Sequence, residues 1–164
     1  MPEERAADTI LIRRATSDDV LAIVCLLADD MLGRQRERPE EPLLPAYYEA
    51  FAALDADPRH ELIVVECRGV VIGTLHLTVL PSLSFQGRPR AQIESVRVAA
   101  AYPSRGIGGQ LFAWAIARAR ERGCHVVQLT TAASRVDAQR FYTRLGFTPS
   151  HVGMKLDLTG DHKS

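Results

Sequence analysis

The chain has no excess of either charge. Twenty Lys and Arg balance twenty Asp and Glu, so no basic field exists to hold a nucleic acid, and no helix-turn-helix pattern or basic stripe breaks the balance. Cysteine is scarce. Cys25, Cys67 and Cys124 are odd in number and scattered through apolar runs, which argues against a disulfide framework and predicts buried free thiols in a reducing compartment. No apolar run approaches the ~20 residues of a membrane span, and the first residues do not read as a secretory signal. A cytoplasmic protein with no membrane partner is therefore expected. His125 and His151 have nothing nearby at metal-ligand spacing, so no metal is expected. Two common phosphate loops are also missing. The Walker loop needs Gly-Lys-Ser/Thr, and the dinucleotide pattern needs a third glycine where Leu111 stands. What is present is a 46% apolar chain of 164 residues, enough for one domain with its own core. Residues 1–8 and 159–164 read as loose termini around a single domain, 1–164.

Hydrophobic spacing orders the rest. Residues 9–14 form a short strand. Thr16 and Asp19 have capping-box spacing, and Val20, Ile23, Val24 and Leu27 mark one helical face that ends near residues 31–33. Residues 34–45 are charged and proline-punctuated, hence a loop. Tyr47, Phe51 and Leu54 define a second helix over 46–54. Two β-rich runs, 61–67 and 70–80, flank the turn signal Arg68-Gly69. A loop over 81–90 leads to the next strand. Later come a strand over 125–131, a helix started by Ser134 and Asp137 and carrying Ala138, Phe141, Tyr142 and Leu145, and one or two strands over 147–158. Strands and helices in this order predict a mixed α/β layer structure.

The stretch over 91–122 organises the chain. Ile93, Val96 and Val98 make a strand, residues 104–109 (SRGIGG) a glycine loop, and Leu111, Trp114, Ala115 and Arg118 one face of a helix that Gly123 ends. Glycine lets a bulky ligand approach the main chain, and a glycine loop opening a helix presents free amides and a positive dipole end to an anion.

Residues 103–108 (PSRGIG) resemble motif A of the GNAT superfamily of N-acetyltransferases, written Q/R-x-x-G-x-G/A, with Pro103 departing from the first position. Residues 138–147 (AQRFYTRLGF) resemble its motif B, A-x-x-F-Y-x-x-L-G-F, and the run over 28–37 (ADDMLGRQRE) is similar to one in a small bacterial subgroup. The opening IRRATSDDV is also like a GNAT first strand and helix. The resemblance thus covers nearly the whole chain. It implies a mixed, mostly antiparallel central sheet with helices on both faces. It also implies acetyl transfer from acetyl-CoA directly to a primary amine.

By that resemblance, the amides of Arg105, Gly106, Ile107, Gly108 and Gly109 would cradle the pyrophosphate, with Ser104 and Arg105 side chains at phosphate or in solvent. Backbone groups of Val96 and Val98 would hold the pantetheine arm. An acceptor amine, with an ordinary pKa of ~10, arrives protonated and needs a base. Glu94, a carboxylate in an apolar strand two residues before Val96 on the same face, is the candidate, directly or through water. Its alternative is structural pairing with a neighbouring strand, Arg97 or Arg90. Tyr142 stands at the family's tyrosine position and would protonate the departing thiolate; its alternative is a place in a core stripe. His76 reads as an ordinary strand residue.

Over residues 28–59 eight acids (Asp29, Asp30, Glu37, Glu40, Glu41, Glu49, Asp55, Asp57) face four arginines. That is the charge of a solvated face, or of a mouth for a small cationic amine. Rival readings are a protein lysine or N-terminal acetyltransferase and a non-catalytic acyl-CoA-binding regulatory module. The apolar LPSLSF segment (80–85) is compatible with a homodimer.

Overall fold

The computed structural model describes residues 9–102 and 106–159. These fall into two compact units, divided after Leu129.

The first unit is built on a five-stranded sheet in the order β1-β2-β3-β4-β5: Ile10–Arg14, His60–Cys67, Val70–Leu80, Arg90–Val98 and Val127–Leu129. Neighbours are antiparallel except for β4 and β5, which run parallel. The β2–β3 turn forms where the sequence signals it, with Arg68 and Gly69 both at positive φ. Helix α1 (Val20–Ala28) buries Val20, Ile23 and Val24, and α3 (Pro45–Ala56) joins it through Tyr47 and Phe51. Ile23, Val64 and Ala15 pack with Phe51 and Leu62, which places α1 and α3 on one sheet face. Helix α4 (Ile107–Glu121) lies on β3 and β4 with a stripe of Ile107, Leu111, Phe112, Ala115 and Ala119, each at most 2% exposed. Its Arg118 reaches Glu61, the strand neighbour of Leu62, so α4 covers the opposite face. Helices on both faces of a mostly antiparallel sheet are the expected architecture.

Several expectations are corrected. The segment expected to be a loop from residue 34 opens inside a helix, α2 (Met31–Arg36). Asp30 caps it by accepting the Gly33 N–H at 2.6 Å. Cys67 is buried, but Cys25 is exposed and Cys124 is half-buried, with its thiol pushed up by burial. The loop over 81–90 contains a tight turn whose Phe85 and Gln86 are left-handed.

The second unit, residues 130–159 among those described, contains helix α5 (Val136–Arg144). It begins at Val136 after Arg135, without a side-chain cap from Ser134. Gly146, at φ 94°, follows its end. Residues 147–158 form no strand. Among the described residues no helix is long and apolar enough to cross a membrane.

Candidate active site

The site begins with a defect in β4. Thr74 pairs with Arg97 and His76 with Glu94, so one residue of β3, Leu75, stands opposite two of β4, Ser95 and Val96. The extra residue is a β-bulge, and Ser95 carries its strain at φ 54°. A regular strand alternates faces, so Glu94 and Arg97 would point apart. The bulge brings both to the face of Thr74 and His76. Val96 consequently lies on the opposite face from Glu94, not on the same one as the alternation suggested.

Arg97 reaches back from there. Its guanidinium donates to the Val96 carbonyl at 2.8 Å and pairs with Asp30, the cap of α2, at 3.5 Å. The structural pairing considered for Glu94 is therefore not what Arg97 does. Glu94 is exposed, and no described residue hydrogen-bonds or ion-pairs with it.

Beside the bulge the sheet opens. β5 follows β4 only from Ala91 to Ile93, and no further strand is found among the described residues. From Glu94 to Val98 no described strand pairs with the side of β4 turned away from β3, where the Val96 carbonyl accepts from the Arg97 side chain; an open edge of this kind is a template for an extended ligand. Val96 and Val98, the backbone positions named from the sequence, lie on this stretch. α4 starts at Ile107, so Ile107, Gly108 and Gly109 form its first turn. Its N-terminus has no side-chain cap, and Gly106 holds a left-handed φ of 64°. The first intrahelical bond runs from the Gln110 N–H to the Gly106 carbonyl at 3.0 Å. The amides before it have no intrahelical partner and, among the described residues, no side-chain cap, at the positive end of a 15-residue helix. A phosphate-bearing thioester with an extended arm fits an uncapped helix start and an open strand edge. Pro103, Ser104 and Arg105 lie outside the described residues.

The far end of α4 is anchored. Glu61, 4% exposed, accepts two bonds from Arg118 Nε at 2.9 and 3.0 Å and one from Arg122 Nη1 at 3.0 Å. Arg118 was legible as part of the helix's inner face; its acid partner in β2 was not.

Sequence reasoning also missed a histidine cluster on the Glu94 face. His60 Nδ1 lies 3.0 Å from His76 Nε2, and the Thr78 hydroxyl lies within 3.2 and 3.3 Å of the two nitrogens. Burial, and then the neighbouring His60, lower the His76 pKa to about 4. Only the alternation that puts His76 opposite Glu94 could have signalled it.

Of the eight acids in the expected mouth, four are in ion pairs: Asp30 with Arg97, Glu37 with Arg36, Asp55 with Arg14 and Asp57 with Arg59. Asp29, Glu40, Glu41 and Glu49 are exposed and not ion-paired among the described residues.

Tyr142 belongs to the second unit. Its ring meets Phe141 and Phe147 edge-on, with centroids 5.7 and 6.2 Å away. Among the described residues no group of three or more His, Cys, Asp or Glu side chains is placed to hold a metal.

Comparison with known proteins agrees with this geometry. Residues 27–147 match the model of the acetyltransferase (GNAT) family. An aminoalkylphosphonate N-acetyltransferase of Salmonella typhimurium is 32% identical over 143 residues, 85% of this chain and 86% of that protein. A glucosamine 6-phosphate N-acetyltransferase of Trypanosoma brucei brucei is 31% identical over 90 residues, 55% of this chain and 59% of that protein. A crystal structure of a transcriptional regulator from Bacillus halodurans C-125 superposes with a TM-score of 0.88. It is 49% identical to this chain, of which it covers 91%, and 99% of its own chain is covered.

Proposed function

The chain belongs to the GNAT family of acetyltransferases, and within it we propose an enzyme that acetylates the primary amine of a small molecule in the cytoplasm. The observation that carries this reading is the opening of the sheet beyond Ile93, with an exposed carboxylate at its mouth and the uncapped start of α4 in the same unit.

Acetyl-CoA supplies an activated acetyl group on a thiol leaving group. Residues of this chain do the rest. The amides of Gly106, Ile107, Gly108 and Gly109 hold the phosphates, joined by Ser104 and Arg105. Backbone groups of Val96 and Val98 hold the arm in extended form, and an amide there stabilises charge on the carbonyl oxygen. Glu94 takes a proton from the acceptor ammonium, directly or through one water. Tyr142 gives a proton to the departing sulfur, whose thiol pKa is ~8.5.

The four acids without ion pairs favour a cationic amine such as a diamine. The Salmonella relative is named for an amine that carries a phosphonate. A free-thiol release assay with acetyl-CoA decides, run against diamines, polyamines, amino sugars, aminoalkylphosphonates and a lysine peptide. Turnover highest with a small amine supports the reading, and turnover confined to the peptide overturns it. One observation favours a second reading: the Bacillus halodurans neighbour is described as a transcriptional regulator. A regulatory module of that kind would bind CoA and release no thiol with any amine.

A further inference from the structure

Acetyl transfer to an ammonium leaves a proton to dispose of. As the C–N bond forms and the C–S bond breaks, R–NH3+ and the thioester become R–NH–COCH3, a thiol and one free H+. The nitrogen gives up two protons. One ends on sulfur, and the other passes through the base and must leave it in every turnover.

Glu94 has His76 directly across the β3–β4 pair. Opposed side chains on one face stand about 5 Å apart at Cβ, within reach of each other or of one shared water. Behind His76 is His60, joined to it at 3.0 Å, and beyond His60 Nε2 is the Asp57 carboxylate at 3.9 Å. Thr78 touches both rings and fixes their mutual orientation. We propose that His76 and His60 form a proton exit from Glu94 to the surface beside Asp57. This rests on the acetyl-transfer reading and on Glu94 as its base.

The pair suits that task. His76 is half-buried and neutral at pH 7, so it has a lone pair to offer. The Glu94 O–H bond breaks as an N–H bond forms on His76; the charge passes over the His76–His60 hydrogen bond, and a His60 N–H bond breaks as solvent takes the proton. Asp57 stays anionic because Arg59 holds it at 2.6 Å, well below the usual carboxylate range. It therefore attracts the proton without keeping it. Of the other charged groups on this side, Arg97 pairs with Asp30, Asp55 of α3 with Arg14, and Arg13 with Asp19 and Glu66, while Arg90 of β4 stands on the Glu94 face opposite Leu80. Glu49 of α3 is exposed, and α1 contributes no Asp, Glu, Lys or Arg.

The test is thiol release by the whole protein across pH 6–9, comparing wild type with His60→Asn and His76→Asn. The expected result is a kcat lower on the order of tenfold near pH 7, short of the ~10²–10⁴ for loss of the base itself. The amine KM and the CoA-induced rise in Tm should stay unchanged. The deficit should close as pH rises, because more amine then arrives neutral, and imidazole buffer should restore His60→Asn. If His76→Asn does not fold, the half-exposed His60 variant carries the test alone. Variants with the wild-type pH profile, or a deficit constant with pH and deaf to imidazole, overturn the exit and leave acetyl transfer standing. A wild type that releases no thiol with any amine overturns both.

Discussion

Gly33→Ala should be a damaging substitution in this fold although alanine is the better helix former. Gly33 lies inside α2, buried against the end of α1. A Cβ added there would stand 1.9 Å from the Leu27 carbonyl oxygen, 2.9 Å from the Leu27 carbonyl carbon and 3.1 Å from the Ala28 Cα. Backbone cannot rotate away as a side chain can, so α2 must retreat by about 1.5 Å to reach ordinary contact. Overpacking of this kind costs ~1–3 kcal/mol, and the overlap with main chain argues for the upper end. Helix propensity returns ~1 kcal/mol, leaving a net loss of about 2 kcal/mol. For a chain of this size that lowers Tm by roughly 4–8 °C. The displaced helix carries Asp30 away from Arg97, now 3.5 Å distant, so the amine KM should rise while the CoA-induced Tm shift persists. Gly109→Ala provides the contrast in stability. No atom lies within 4 Å of its added Cβ, so propensity alone applies and Tm should rise. A Gly33→Ala protein that melts at or above the wild-type temperature would refute the closed junction between α1 and α2.

Three further outcomes are expected. CoA at ~100 Kd should stabilise the native protein by about 2.7 kcal/mol, and Gly108→Asp, which puts a carboxylate at the start of α4, should abolish the shift in a folded protein; a full shift would place the phosphates elsewhere. Glu94→Gln should lower turnover by ~10²–10⁴ and regain part of it at high pH, where the amine needs no base; unchanged turnover at every pH would leave Glu94 a surface residue. Tyr142→Phe keeps the ring, so a proton-donor role predicts near-native melting and a turnover loss of ~10² or more; early melting with normal turnover, a loss of ~1 kcal/mol, would make it a packing residue.

The elements that period and turn chemistry specify were legible in the sequence. The β2–β3 hairpin sits where Arg68-Gly69 put it, and α4 has its glycine start, its inner stripe and its end before Gly123. Three features were not. Residues 34–36 look like loop because Arg and Gln carry no apolar period, yet α2 is held by a cap at Asp30 and by Gly33 against α1, both tertiary facts. Residues 147–158 alternate as a strand would, with Val152, Met154, Leu156 and Leu158 in step, but those side chains are 80–91% exposed and no ladder forms. Alternation gives a face and cannot supply the neighbour to pair with. The histidine cluster depends on register across two pairs of strands, which no single segment encodes.

On the proposed reading, the bulge at Ser95 lets one strand serve both substrates. A carboxylate that accepts a proton from one side and a backbone that holds an extended arm make opposite demands on β4. Continued pairing with β5 would occupy the edge the arm needs, and strict alternation would turn Arg97 away from the Glu94 face. One extra residue changes both relations. With Glu94 opposite His76 in the regular register, it returns Arg97 to the same face, where Arg97 ties β4 to the cap of α2. It also comes two residues after Ile93, the last residue of β4 paired with β5. Ser95 holds a left-handed φ of 54° that costs a non-glycine residue ~1–2 kcal/mol. Strain of that size persists only where the surrounding pairs over-determine it. Here the pairs are His76–Glu94 on one side of the bulge and Thr74–Arg97 on the other, so the strain maintains the register that sets Glu94 and Arg97 on one face.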